Sequence, residues 1–119
     1  MDQSRRLARE SSELHRFWDL VARKLAQNPY VVVSFKVPDE TRVPALSDAL
    51  AREGFETPLV TNGRRWFRRS VTLEAAKRAP TPLSEVGVIA ILSNAVEIGS
   101  ANDVPFGGWG AVALWPPSP

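Results

Sequence analysis

Two prolines, Pro29 and Pro38, bracket eight residues, Tyr30–Val37, and this segment constrains the fold more than any other. Val31, Val32, Val33 and Phe35 crowd it with β-branched and aromatic side chains, which fit a pleated sheet and lose rotamer freedom in a helix. An apolar run without strict alternation is expected on an interior strand covered on both faces. The prolines fix its ends, since neither can donate to a ladder. Whatever else the chain forms must therefore be built around a central strand.

The segments on either side fit that demand. Residues 2–27 carry Leu7, Leu14, Trp18, Val21 and Leu25 at helical spacing, with Arg5, Arg9, Arg16 and Arg23 opposite, so one amphipathic helix is expected, capped by Asp2 or Ser4 and stopped by Asn28-Pro29. Thr41 is the expected cap of a short helix with Pro44 in its first turn, Val43, Leu46 and Leu50 on one face, and Gly54 as a left-handed stop. Phe55–Val60 and Arg64–Leu73 read as two strands joined at Thr61-Asn62-Gly63, because Asn-Gly supplies the positive φ angles of a tight hairpin. Pro58 places the first of them at an edge.

The stretch after Pro80 is ambiguous. Val86-Gly87-Val88-Ile89-Ala90-Ile91-Leu92 has strand propensity, but Leu83, Val86, Ile89, Ser93 and Val96 keep helical spacing. A helix is favoured, begun by Thr81-Pro82 and closed by Gly99. A short strand, Trp109–Trp115, ends the pattern. The resulting order is a helix followed by β-α-β-β-α-β. It points to the α+β class: a ferredoxin-like antiparallel sheet with an extra N-terminal helix, residues 1–115 forming one domain and 116–119 a proline-rich tail. A chain of 119 residues is the right size for one core.

Composition removes much chemistry. There is no cysteine, hence no disulfide, thiolate nucleophile or Cys-ligated zinc, and His15 is the single histidine, so no histidine pair can hold a metal. No Gly-x-Ser-x-Gly elbow is present, and no carboxylate pair stands out; Asp39-Glu40 sits where acids suit a helix start. No cofactor motif is recognisable: Gly107-Gly108-Trp109-Gly110 leads into a strand, not into the helix that a phosphate cradle needs. The expectation is a protein without catalytic activity, cofactor or metal. No apolar run reaches membrane-spanning length and residues 1–28 are charged throughout, so a cytoplasmic protein without membrane contact is expected.

Charge points to a binding surface instead. The net charge is +2 and the isoelectric point about 9.5, but all 15 Lys and Arg precede Pro80. They are densest in Gly63-Arg64-Arg65-Trp66-Phe67-Arg68-Arg69. Arg64, Arg65, Arg68 and Arg69 could meet phosphates or an acidic protein surface, with Trp66 as an aromatic partner, or simply keep a sheet edge soluble. Trp109, after two glycines, is either a core plug at a tight corner or a second binding anchor.

Three segments carry a family resemblance: Gln27–Val33, where a helix enters a strand through a proline turn; Ala51-Arg52-Glu53-Gly54-Phe55-Glu56, a helix-to-strand turn with glycine before an aromatic; and Val104-Pro105-Phe106-Gly107-Gly108-Trp109-Gly110. The last is similar to the Tyr-Asp-Gly-Trp-Gly segment of the regulator of ribonuclease activity B family, inhibitors of ribonuclease E, and the chain resembles that family over most of Gln3–Trp115. The resemblance implies a non-catalytic regulator that binds a protein, an endoribonuclease such as ribonuclease E. Gly107 stands where the family has an aspartate, and this chain is basic where well-known members are acidic, so the fold carries over further than the partner's electrostatics. The rival reading is an RNA-binding module. An RNA recognition motif shares the βαββαβ order, but its third-strand signature is not matched by Gly63–Arg68. A homodimeric ligand-binding ferredoxin-like domain, pairing sheet to sheet through Trp66, Phe67, Trp109 and Trp115, is a third.

Overall fold

The structure is a computed structural model that describes residues 2–65 and 68–116. Its elements are α1 (Asp2–Arg16), α2 (Trp18–Gln27), β1 (Tyr30–Val37), a 3-10 turn (Glu40–Arg42), α3 (Val43–Arg52), β2 (Glu56–Arg65), β3 (Arg68–Arg78), α4 (Glu85–Ala101) and β4 (Phe106–Val112). The class is α+β. The four strands form one antiparallel sheet in the order β2-β3-β1-β4.

One face of that sheet carries the core. Val31, Val33, Phe35 and Val37 of β1 and Val71, Leu73 and Ala75 of β3 are buried against Leu46 and Leu50 of α3, Val88, Leu92 and Val96 of α4, and Leu14 and Leu25 of α1 and α2. Phe35 meets Phe106 of β4 edge to face, with centroids 5.9 Å apart. The other face, expected to be covered as well, carries no helix among the described residues. Lys36 is exposed there and Ser34 half-buried, while Val32, between Ala76 and Gly110 in the register, is only 6% exposed. An interior position with strands on both sides is enough to bury a valine.

The N-terminal helix is not continuous. Its apolar stripe faces the core as expected, but the helix breaks at Phe17 (φ −110°, ψ 23°), so α1 crosses α4 and α2 turns toward β4. His15, at the end of α1, is largely exposed and places Nδ1 2.8 Å from Oε1 of Glu85 at the start of α4.

Helix starts differ from the sequence expectation in a consistent way: the acceptor lies outside the helix where the chain is extended. Asp39, not Thr41, caps the 3-10 turn, accepting the Thr41 N–H at 3.0 Å. Ser84, not Thr81, caps α4, accepting the Gly87 N–H at 3.1 Å. The segment after Pro80 is a helix, as favoured, but it runs past Gly99 to Ala101. The final strand is Phe106–Val112, earlier than Trp109–Trp115. Gly54 does end α3's connection with φ +88°.

The largest correction concerns the hairpin. Thr61, Asn62 and Gly63 lie inside β2, opposite Thr72, Val71 and Ser70, and the ladder continues to Arg65 opposite Arg68. A turn at Asn62-Gly63 would set Val60 opposite Arg65. The observed register sets it opposite Leu73, a core residue that also pairs with Phe35. Pairing along the whole of β3 outweighs the local preference of one dipeptide. Pro58 lies on an edge strand, as expected.

Candidate functional site

The β2–β3 hairpin outruns the rest of the sheet. β1 ends at Val37, opposite Val71 of β3, whereas β2 and β3 go on pairing through Gly63–Ser70, Arg64–Arg69 and Arg65–Arg68. The result is a two-stranded arm whose end holds four arginine positions as two directly opposed pairs. Like charges directly opposite one another across a ladder destabilise it. The sequence-predicted Arg64, Arg65, Arg68 and Arg69 are thus brought together; Trp66 and Phe67, between the paired Arg65 and Arg68, lie outside the described residues.

Trp109 is elsewhere. It sits on β4, the opposite edge of the sheet from β2, paired with Val33 on the helix-covered face. It is half-buried and packs against the core. The sequence reading offered a plug or an anchor, and the position combines features of both. Its exposed side borders a hollow of about 390 Å³ between β4 and the N-terminal helices, lined also by Glu10, Glu13, Val21 and Lys24. A second hollow of about 450 Å³ lies on the open face of the sheet, where Gly108 and Gly110 leave bare backbone beside Val32, Ser34 and Glu74. Ser34 Oγ donates to the Gly108 carbonyl at 3.3 Å. Lys24 borders both hollows, so the outer edge of β4 is flanked by free space on each side.

Glu10, Glu13 and Lys24 were not singled out from sequence. The available signal was the i, i+3 spacing of the two glutamates on one helix, but nothing local reveals that β4 lies beside them. Among the described residues the carboxylate with a shifted pKa is Asp39, which lies outside both surfaces. The Thr41 backbone N–H, then the Thr41 side chain, hold it below its ordinary value, with a smaller contribution from Arg42. Among the described residues no three His, Asp or Glu side chains gather as metal ligands would, and no helix is long and apolar enough to cross a membrane.

The central positions of the open sheet face are Val32, Ser34, Lys36, Thr72, Glu74 and Ala76, with Tyr30 near the end beside Arg78, whose Cζ lies 5.7 Å from the ring centroid. An RNA-binding sheet stacks bases on aromatics at central strand positions. A carboxylate stands in that place here. No protein-family model matches the chain, and no curated protein matches it.

Proposed function

We propose that the chain is a non-catalytic regulatory protein that acts by contact, with the arginine-ended arm of β2 and β3 as its docking element for an anionic partner. One observation supports this most: the ladder is prolonged beyond the sheet to carry Arg64 opposite Arg69 and Arg65 opposite Arg68. Like charges opposite one another across a ladder oppose its pairing, and negative charge brought between them offsets that. Arginine suits the task because its planar fork pairs bidentately with carboxylate or phosphate.

The partner of this reading is a protein with an acidic surface. The resemblance to the regulator of ribonuclease activity B family supports an endoribonuclease such as ribonuclease E. The same likeness supports reading the sheet as ferredoxin-like: β3 lies between β1 and β2, β1 lies between β3 and β4, and α3 and α4 make the two crossovers. A second reading, RNA held by the arm, rests on the same arginines; among the described residues Tyr30, at the end of β1, is the aromatic on the open sheet face.

Cleavage of a long single-stranded RNA by ribonuclease E separates these readings. With equimolar protein the cleavage is expected to slow, and the Arg64→Ser, Arg65→Ser, Arg68→Ser, Arg69→Ser variant is expected not to slow it. Inhibition relieved by added nuclease supports the protein partner. Inhibition relieved only by added RNA means that the RNA is being shielded. Unchanged cleavage at every ratio removes ribonuclease E as the partner, and RNA cleavage by the protein alone removes the non-catalytic reading.

A further inference from the structure

We propose that the hollow between β4 and the N-terminal helices binds a free basic amino acid, L-arginine or L-lysine. This role is separate from the docking role of the arm, which lies on the opposite edge of the sheet.

An irregularity in β4 shapes the hollow. The register passes from Ser34 opposite Gly108 to Phe35 opposite Phe106, so Gly107 is an extra residue on the β4 side. Side chains of a regular strand alternate between faces, and Phe106 and Trp109, three positions apart, would point to opposite sides. The bulge turns both toward the helix layer. Phe106 is buried beside Phe35, while Trp109 packs against the same core and borders the hollow. Re-aiming a side chain in this way is a recurrent use of bulges beside functional sites. Gly108 follows with φ +144°, a backbone conformation that favours glycine, and it lines the hollow with backbone alone.

The charges around the hollow are of both signs. Glu10 and Glu13 share a face of α1, and Lys24 comes from α2. Among the described residues none of these three side chains makes an ion pair or a hydrogen bond. Glu10 is half-buried. A carboxylate partly withdrawn from water and without a partner is stabilised when a cation reaches it.

The lining selects the ligand. Two carboxylates and one ammonium are complemented by two cations and one anion. An amino acid with a basic side chain carries that set: an α-ammonium, a side-chain cation and an α-carboxylate. Its cations are received by Glu10 and Glu13, one of them against the indole of Trp109, whose face attracts positive charge. Its carboxylate is received by Lys24, and its methylene stem lies along Val21. A volume of about 390 Å³ is near the lower end of the roughly 300–1,000 Å³ of small-molecule sites, which suits one amino acid.

Isothermal titration calorimetry of the purified full chain with L-arginine and with L-lysine tests this. Saturable binding at one site per chain is expected, at least tenfold tighter than L-leucine, which lacks the second cation. Nα-acetyl-arginine amide, which lacks both α charges and imitates an arginine within a protein, is expected to bind at least tenfold more weakly than arginine. The Glu10→Gln, Glu13→Gln double variant and the separate Lys24→Gln variant should each lose at least tenfold in affinity, with far-ultraviolet circular dichroism that of the wild type. Replacing the four arm arginines by serine should leave amino-acid binding unchanged, so this site and the arm stand or fall separately. Absence of binding by both amino acids at millimolar concentration overturns the proposal. So does leucine or the acetylated amide binding as tightly as arginine, or affinity that survives both the double variant and Lys24→Gln.

Discussion

Gly99 of α4 lies so close to Phe35 of β1 that a Cβ on the glycine would stand 2.8 Å from Cε1 of the ring and 2.7 Å from the Val104 carbonyl oxygen. Both neighbours are fixed: Phe35 is fully buried and Val104 holds a backbone bond from its N–H to the Gly99 carbonyl at 2.8 Å. Gly99→Ala would gain up to about 1 kcal/mol of helix propensity. Overpacking against a buried ring and a backbone carbonyl costs about 1–3 kcal/mol. The clash should win, and urea unfolding should show the variant to be less stable, with an unchanged m value. A more stable variant would mean that α4 can lift from β1 at little cost.

Trp109 is half-buried, which sets a middle value for its removal. Fully buried aromatics cost about 3–5 kcal/mol when cut to alanine. Trp109→Ala should cost about 2 kcal/mol. A loss near 5 kcal/mol would show that the indole is a core plug after all.

These two residues also mark where the sequence was readable. The stripe Leu7, Leu14, Trp18, Val21 and Leu25 reaches the core because helical periodicity is a local property. The strand Tyr30–Val37 is bounded by its prolines for the same reason. The hairpin turn was misplaced because Asn62-Gly63 states a local preference, whereas β2 pairs along a strand already bound to β1, with Val60 opposite Leu73. Gly99 reads as a helix stop until Phe35 is seen against it. The arginines and Trp109 are both candidate contact residues in the sequence, and the strand order sets them on opposite edges.

Asp39 makes a pH-dependent contribution whose sign follows from its hydrogen bond. The Thr41 N–H at 3.0 Å stabilises the carboxylate and lowers its pKa below the ordinary 3.8. A carboxyl whose pKa is depressed by folding adds stability above its unfolded pKa and loses it as pH falls through the folded one. Asp39→Ala should therefore differ most from wild type near neutral pH, and the gap should close as pH drops below about 4. The group is exposed, so the effect is small and is best read as a difference between paired melts. A gap that widens in acid would contradict the cap.

The arm yields the sharpest separation between folding and function. Directly opposed like charges destabilise a ladder, and the register sets Arg64 opposite Arg69 and Arg65 opposite Arg68. Replacing all four by serine should leave the chain as stable as wild type or more so at low ionic strength. The difference should vanish near 1 M salt, where screening acts over about 3 Å. Binding to an anionic partner should move the other way: lost in the variant, and weakened by salt in the wild type. If the partner is a polyphosphate, the logarithm of the affinity should fall linearly with the logarithm of salt concentration, with a slope set by the phosphates contacted. Four arginines bound that slope, since an arm with four cations neutralises about four phosphates at most, or roughly −3 for a single strand. A steeper slope would require cations outside the arm, and Arg5, Arg9 and Arg23, all exposed on α1 and α2, would be the next to replace. A variant that loses stability instead would assign the arginines to native contacts and remove the arm from the functional account.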